Sequence, residues 1–369
     1  MPISHEGESR TEEASTHQDI QYWTPTRLIA GLIMSVVLMG LVVYAQWDNV
    51  VAIWGGSSHH GSNVRVTSPV LFSNLFDITN LQIDRTQIIH GGPPKDGIPS
   101  ITDPETVPVS QADFMQPDDR VVGVTINGDS RAYPIKVLNY HECINDVLGG
   151  VPIAVVFCPL CDSVSVVDRR LGEKTYEFGI SGFLYNSNVL LYDRTDHALW
   201  SQVGLEAVSG PNAGKSLKHY SDWTITTFER WYETFPQSSI TTMNTGYYGA
   251  DRYNSQAYAS YFQTDRLMFP AQPRNNGLFP NKYPVIGIRL GDQAKAYPVR
   301  DIYESHAGRV EDAFNGGRVV LEHDGVSGSV RVVEVPEGAQ VVHTFWFAWY
   351  AFHPHTQVYQ TDAEHHVTD

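Results

Sequence analysis

The sequence predicts a β-rich α+β fold made of two related hairpin–helix–strand halves, preceded by one N-terminal transmembrane helix. Three observations carry this. Short apolar runs, alternating or continuous, recur between Gly, Asn and Pro turns through most of the chain. One stretch, VVGVTINGDSRAYPIKVLNYHECINDVLGGVPIAVVF, is echoed by VIGIRLGDQAKAYPVRDIYESHAGRVEDAFNGGRVVLEH. And LIAGLIMSVVLMGLVVYA, residues 28–45, carries no charge and is just long enough to span a bilayer, which takes roughly 17–25 residues.

The 369 residues, 18% charged and 42% apolar, suffice for one large or two modest cores. The formal charge of −16 repels phosphate backbones, so nucleic acid is an unsuitable partner, and no motif points to a nucleotide cofactor. Three cysteines are too few for a disulfide scaffold.

In chain order, residues 1–27 read as a polar cytoplasmic tail and 28–46 as the membrane helix, with Trp23 and Trp47 at its two interfaces. Arg10 and Arg27 precede the helix, and the next basic residue is Arg65. That bias keeps the N-terminus cytoplasmic and exports the body to the periplasm or the exterior. Residues 47–66 are a linker. Residues 67–240 form the first half, 241–283 a Tyr-, Asn- and Gln-rich irregular connector, 284–360 the second half and 361–369 a tail.

Within the first half, IIHGGPPKDGIPSITDPETVP (88–108) has too many Gly and Pro residues for regular structure and reads as a surface strap. VVGVTING-DSRAYP is a hairpin turning at Asn127-Gly128. Pro134 opens a helix predicted over 135–148, with Val137, Tyr140, His141, Ile144 and Leu148 on one face and Asn145 one turn from His141. Gly149-Gly150 stops it, VPIAVVF is a buried strand, and Cys158-Pro159-Leu160-Cys161 is a turn before the strand SVSVVDRR. FERWYETFP is a second helix, echoed by FWFAWYAFHP. The two halves are unequal: the Cys-x-x-Cys and the FLYNSN region belong to the first alone.

Cys158 and Cys161 admit three readings. As a metal knuckle they hold a soft ion, copper or zinc, with His141 as a further ligand and His306, His323 or His343 behind it. As an oxidised pair they form a structural disulfide. As a redox dithiol they lack the helix N-terminus that usually lowers a thiol pKa, because strand-forming residues follow. His141-Glu142-x-x-Asn145 falls one histidine short of a zinc-protease motif, but Glu142 can still serve as a general base. Tyr185, Asn186, Asn188 and Trp200, with Asn145, are aromatic and amide groups suited to line a pocket.

GGPPKDGIP (91–99), AYP…NYHECIND…GG (132–150), CPLC (158–161), SGFLYNSN (181–188) and LWSQ (199–202) together resemble the uncharacterised bacterial family known as domain of unknown function 3179, over roughly residues 70–360. The resemblance implies an exported or membrane-attached domain and brings no settled activity. Members typically read His-Glu-Ile-Val-Asn-Asp and Cys-Pro-Leu-Cys-Gly; Cys143 and Asp162 depart from that here.

Three functions follow as expectations. The first is an anchored, exported metal-binding protein using Cys158, Cys161 and His141 in metal handling or electron transfer. The second is a thiol- or metal-dependent oxidoreductase. The third is an accessory subunit of a membrane complex with a Cys158–Cys161 disulfide.

Overall fold

The structure is a computed structural model that describes residues 74–204, 206–255, 257–304 and 308–360. The expected anchor, its flanks, the linker and His306 lie outside these residues; no described helix is long and apolar enough to cross a membrane. The described chain is a β-rich α+β structure.

Its strands and helices run β1 (Ile88–His90), β2 (Ile101–Thr102), β3 (Thr106–Pro108), β4 (Arg120–Ile126), β5 (Asp129–Pro134), α1 (Ile135–His141), β6 (Cys143–Leu148), β7 (Val151–Cys158) and β8 (Ser163–Asp168). Then come β9 (Arg170–Leu171), β10 (Lys174–Thr175), β11 (Phe178–Tyr185), β12 (Asn188–Asp193), β13 (Leu199–Ser201), β14 (Glu206–Ala207), β15 (Trp223–Thr227), α2 (Phe228–Thr234) and β16 (Ser239–Thr241). The connector carries only the short helices α3 (Ala250–Asn254) and α4 (Ala259–Phe262). The last part is β17 (Pro284–Leu290), β18 (Gln293–Pro298), α5 (Val299–Glu304), β19 (Arg309–Phe314), β20 (Gly317–His323), β21 (Val330–Glu334), β22 (Gln340–Phe345), α6 (Trp346–Phe352) and β23 (Gln357–Val358).

The elements of the second echo follow the order of the first. β17, β18, α5, β19 and β20 repeat β4, β5, α1, β6 and β7. β15 lies antiparallel on β4 and β22 antiparallel on β17, while β16 runs parallel to β5 and β23 parallel to β18. Two eight-stranded sheets result, ordered β19-β20-β21-β15-β4-β5-β16-β3 and β2-β6-β7-β8-β22-β17-β18-β23. Each sheet therefore takes strands from both echoes. The joins are narrow: Thr224 faces Arg331 in one sheet, and His343 faces Val164 in the other. A third sheet, β1-β11-β12-β13-β14, takes β11 to β14 from the stretch present only in the first echo and β1 from the segment before it.

Two corrections concern the first half. The helix predicted over 135–148 ends at His141; Glu142 is left-handed at φ 56, and Cys143–Leu148 pairs with β7 from Leu148↔Val151 to Cys143↔Val156. Ile144 and Leu148 are buried as strand residues, and apolar spacing over a short run could not separate the two periods. The strap at 88–108 is not wholly irregular, since β1, β2 and β3 each add to an edge of a different sheet. Its Lys95-Asp96 pair anchors it. The Lys95 ammonium stands 4.1 Å from the Tyr192 ring centre, and Asp96 meets Arg194 at 2.9 Å and the Tyr192 hydroxyl at 2.5 Å.

Each echo packs a tryptophan on a strand glycine. The ring of Trp231 lies on Gly123 and that of Trp349 on Gly287, so closely that a Cβ on either glycine would sit 2.0 Å and 2.3 Å from it. The indole N–H groups donate to Ser238 Oγ and Thr356 Oγ1, both at 2.9 Å. Gly123→Ala is expected to lower stability by about 1–3 kcal/mol, as overpacking of a filled core does. Gly325→Ala, in open space on an exposed turn, should stay within about 0.5 kcal/mol. Urea midpoints of the two variants check this; equal midpoints would refute the contact.

Candidate functional site

Cys158 ends β7 and pairs with Ser163, so Pro159–Asp162 is a four-residue hairpin loop. Asp162 takes φ 45, a left-handed position that glycine fills at no steric cost and that Asp tolerates better than most residues. Both cysteines are buried, and both are free thiols, as is Cys143.

The loop directs donors at one sulfur. Burial raises the Cys158 pKa, but the Cys161 thiol and the backbone N–H groups of Val189, Cys161 and Leu160 donate to it, and the net value falls below the ordinary thiol value. Val189 comes from β12, in the third sheet. Cys161 moves the other way: burial, then the neighbouring Cys158 charge, hold it well above the thiol range. Its one proton has two acceptors in reach, the Cys158 sulfur and the Ser187 carbonyl at 3.2 Å. Cys158 is therefore the more acidic thiol of the pair. Cys143, pushed up to about 12 by burial, packs in the same apolar cluster as an inert thiol.

Glu142 stands beside this pair. It is 7% exposed and its backbone is left-handed. Burial, then the charge of Cys158, raise its pKa well above 4.5. Burying a carboxyl costs stability, as does a left-handed non-glycine residue, and such costs collect where function requires the group.

Polar side chains lock the loop from behind. Gln202 donates to Val156 O (3.0 Å) and Ser163 O (2.9 Å) and accepts from Ser163 Oγ (2.7 Å) and Asn188 Nδ2 (2.9 Å). Phe345 N donates to Cys161 O at 2.8 Å, and Arg120 grips Asp162 with two bonds of 3.0 and 2.9 Å. The connector closes over the site. The Tyr261 hydroxyl donates to Leu160 O at 2.9 Å, Gln272 N donates to Asn186 Oδ1 at 3.0 Å, and Lys282 sits 3.3 Å from the Tyr261 ring centre.

The family model for "Protein of unknown function (DUF3179)" matches residues 95–343, which include Glu142, the Cys158–Cys161 loop and the connector over it. The chain belongs to that family. Comparisons with curated proteins and with solved structures gave no significant match. Within the DUF3179 match, the structure brings some of the sequence-predicted residues together and separates others. Cys158, Cys161, Glu142, Asn186 and Asn188 meet around one loop.

His141 does not join them. Its Nδ1–H donates to Pro99 O at 2.6 Å and its Nε2 accepts from the Tyr253 hydroxyl at 2.7 Å, so neither nitrogen is free. Asn145 pins β6 to β11 through two 2.9 Å bonds with the Phe178 backbone. The Trp200 indole donates to Asp193 at 2.9 Å, and Tyr185 packs edge-on against Phe352. His323 lies in the other eight-stranded sheet, against Tyr303. His343 reaches the loop, but through Nδ1 to Asp162 O at 3.0 Å. Among the described residues no three His, Cys, Asp or Glu side chains converge as a metal set.

Gln202 belongs to the LWSQ stretch (199–202) that the sequence singled out; sequence reasoning missed Val189, Tyr258 and Tyr261. Of these only the Tyr-rich composition of the connector gave any signal, and it had no period to place it.

The state of Glu142 sets a pH dependence. Its folded-state pKa lies above the ordinary one, so its contribution to stability is complete below about pH 4.5 and is lost as pH rises toward the raised value. Glu142→Gln removes that loss. Urea unfolding at about pH 5 and about pH 8 should show the variant gaining on the parent at the higher pH. The same difference at both pH values would mean that the carboxyl is not buried as a neutral acid.

Proposed function

We propose that the protein is a dithiol oxidoreductase, with Cys158 as the nucleophilic thiolate, Cys161 as the resolving thiol and Glu142 as the proton carrier. The observation that carries this is the buried Cys158–Cys161 pair on one four-residue loop, in which the two thiol pKa values are pushed apart, beside a buried acid whose pKa is raised. The chemistry is thiol–disulfide exchange. The Cys158 thiolate attacks a substrate disulfide, and the leaving sulfur takes the Glu142 proton. The Glu142 carboxylate then removes the Cys161 proton. The Cys161 sulfur attacks Cys158, forming the Cys158–Cys161 disulfide and releasing the second substrate thiol, which carries the proton away from Glu142. The carboxylate is reprotonated from water. Two electrons pass from the protein to the substrate, and the reverse sequence oxidises a dithiol. With the apolar run at 28–46 as an anchor and the body exported, the centre sits where disulfides form and persist.

A second reading is favoured by the same donors. N–H groups aimed at sulfur also stabilise a metal thiolate, and two thiolates alone satisfy a linear copper(I) ion. Zinc asks for four ligands, so the donor set suits copper(I) better.

The test is mass spectrometry of the full chain equilibrated in glutathione redox buffers. The parent should lose two hydrogens reversibly at Cys158 and Cys161. Cys161→Ser should accumulate a glutathione adduct on Cys158, and Cys158→Ser should form none on Cys161. Thiols unchanged across the buffer series, with no adduct in Cys161→Ser, would reject the redox reading. Tight copper(I) binding lost in both serine variants but kept in His141→Ala would then favour the second.

A further inference from the structure

The dithiol is closed off from solvent: Cys158 is 1% exposed and Cys161 0%. Thiol–disulfide exchange needs the substrate sulfur against the attacking one, so a pair buried this deeply reacts only when its cover moves. The cover is one stretch of the connector. Tyr258, the N-cap of α4, and Tyr261 within it pack with Leu267 and Phe269 in the apolar cluster that holds both cysteines. Tyr258 is near enough to Glu142 and Cys158, and Tyr261 to both sulfurs, for their charges to bear on the two hydroxyls.

This stretch is tied down lightly. Among the described residues no backbone hydrogen bond joins 258–271 to the strands and helices around it; Phe262 N and Gln263 N donate inward, to Tyr258 O and Ala259 O. The Tyr261 hydroxyl joins it to the cysteine loop, through the buried 2.9 Å bond to Leu160 O. Asn281 and Lys282 hold Asp265 at 3.1 and 2.9 Å, and Lys282 also reaches the Tyr261 and Thr264 carbonyls. Those bonds mostly face solvent, where water replaces a lost partner at small cost. Phe262 and Met268 stay exposed, so moving the stretch forfeits only part of its apolar surface. At its start Tyr258 is left-handed at φ 64, a cost for a bulky residue that a moved backbone can release.

The residues that follow are fixed. Gln272 N donates to Asn186 Oδ1 at 3.0 Å, and the Trp346 indole donates to Asn275 Oδ1 at 2.9 Å. The carbonyls of Asn281 and Tyr283 accept from the first backbone N–H groups of α6 at 3.0 and 2.7 Å. We propose that residues 258–271 are a lid that lifts from this fixed base to admit a disulfide to Cys158, and that the Tyr261 hydroxyl is its latch. The need for a lid rests on the redox reading; its light attachment does not.

Iodoacetamide modification of the reduced full chain at about pH 8, followed at Cys143 and Cys158 by peptide mass spectrometry in about 0–2 M urea, tests this. Lifting a short lid exposes little surface, so the Cys158 rate should hardly change with urea, whereas Cys143, on β6, should react only as the whole fold opens and so speed up steeply. Tyr261→Phe should raise the Cys158 rate about fivefold and leave Cys143 unchanged. Equal urea dependence at the two cysteines, or Cys158 reacting in the parent as fast as an exposed thiol, would overturn the lid. Equal acceleration of both cysteines in Tyr261→Phe would overturn the latch. The urea series on the parent decides the lid even if the variant does not fold. It reads access alone, so the lid and the redox reading, tested in glutathione buffers, fail separately.

Discussion

The fold rests on how little room Gly123 and Gly287 leave. Each glycine lets an indole lie directly on the middle of a β-hairpin, and each indole is then held at its far end by a hydroxyl. This clamps α2 over β4 and α6 over β17, and it fixes where β15 and β22 enter as neighbours of those hairpins. Once β15 and β22 are in place, each has a free edge. β21 from the other echo fills one and β8 the other. The exchange of strands between echoes therefore follows from two small-residue contacts. A second matched feature supports each hairpin. Tyr133 and Tyr297 donate to Asp146 and Asp312 at 2.8 Å, and a basic residue on the same strand, Arg131 or Lys295, pairs with the same carboxylate.

The exchange also creates the site. Because β8 lies beside β22, the loop between β7 and β8 is buttressed by the other echo: Phe345 holds the Cys161 carbonyl and His343 the Asp162 carbonyl. The third sheet, mainly from the stretch that only the first echo contains, supplies Val189, Ser187, Asn188 and Gln202. The connector adds Tyr258 and Tyr261 above. Four separate parts of the chain thus meet at one short loop. The loop itself is simple; its electrostatics come from what surrounds it.

That division decides what the sequence could reveal. The Asn127-Gly128 hairpin, the Cys-x-x-Cys turn and the echoes are local patterns, and all three were legible. The special place of Asp162 showed only through the family resemblance, whose pattern has Gly there; the structure gives it φ 45. The length of α1 was not legible: Ile144 and Leu148 satisfy a helical period and a strand period over so short a run, and only pairing with β7 decides between them. His141 was misplaced for a related reason. Nearness in sequence to the cysteines suggested a shared ligand set, but the chain reverses at Glu142, and the imidazole is spent on Pro99 and Tyr253. Val189 contributes only a backbone N–H, a group every residue but proline carries, so no side-chain pattern could mark it.

Glu142 unites the two outcomes. The left-handed turn that ends α1 early is the same feature that turns its carboxyl toward Cys158, away from the helix face that the sequence assigned to it. A fold under no functional demand would place Gly or Asn at such a C-terminal position, since both adopt φ near 56 more readily. It would not bury an acid there. Neither cost is recovered locally: the backbone N–H of Glu142 caps Leu138 O whatever the side chain, and its carbonyl accepts from Phe157 N in the same way. The carboxyl is therefore dispensable to the turn, and its placement is explained only by the sulfur beside it. In a buried, low-dielectric setting a neutral acid and a thiolate can coexist where two anions could not. On the proposed redox reading, that arrangement supplies the proton for transfer and ties the left-handed backbone at residue 142 to the chemistry at residue 158.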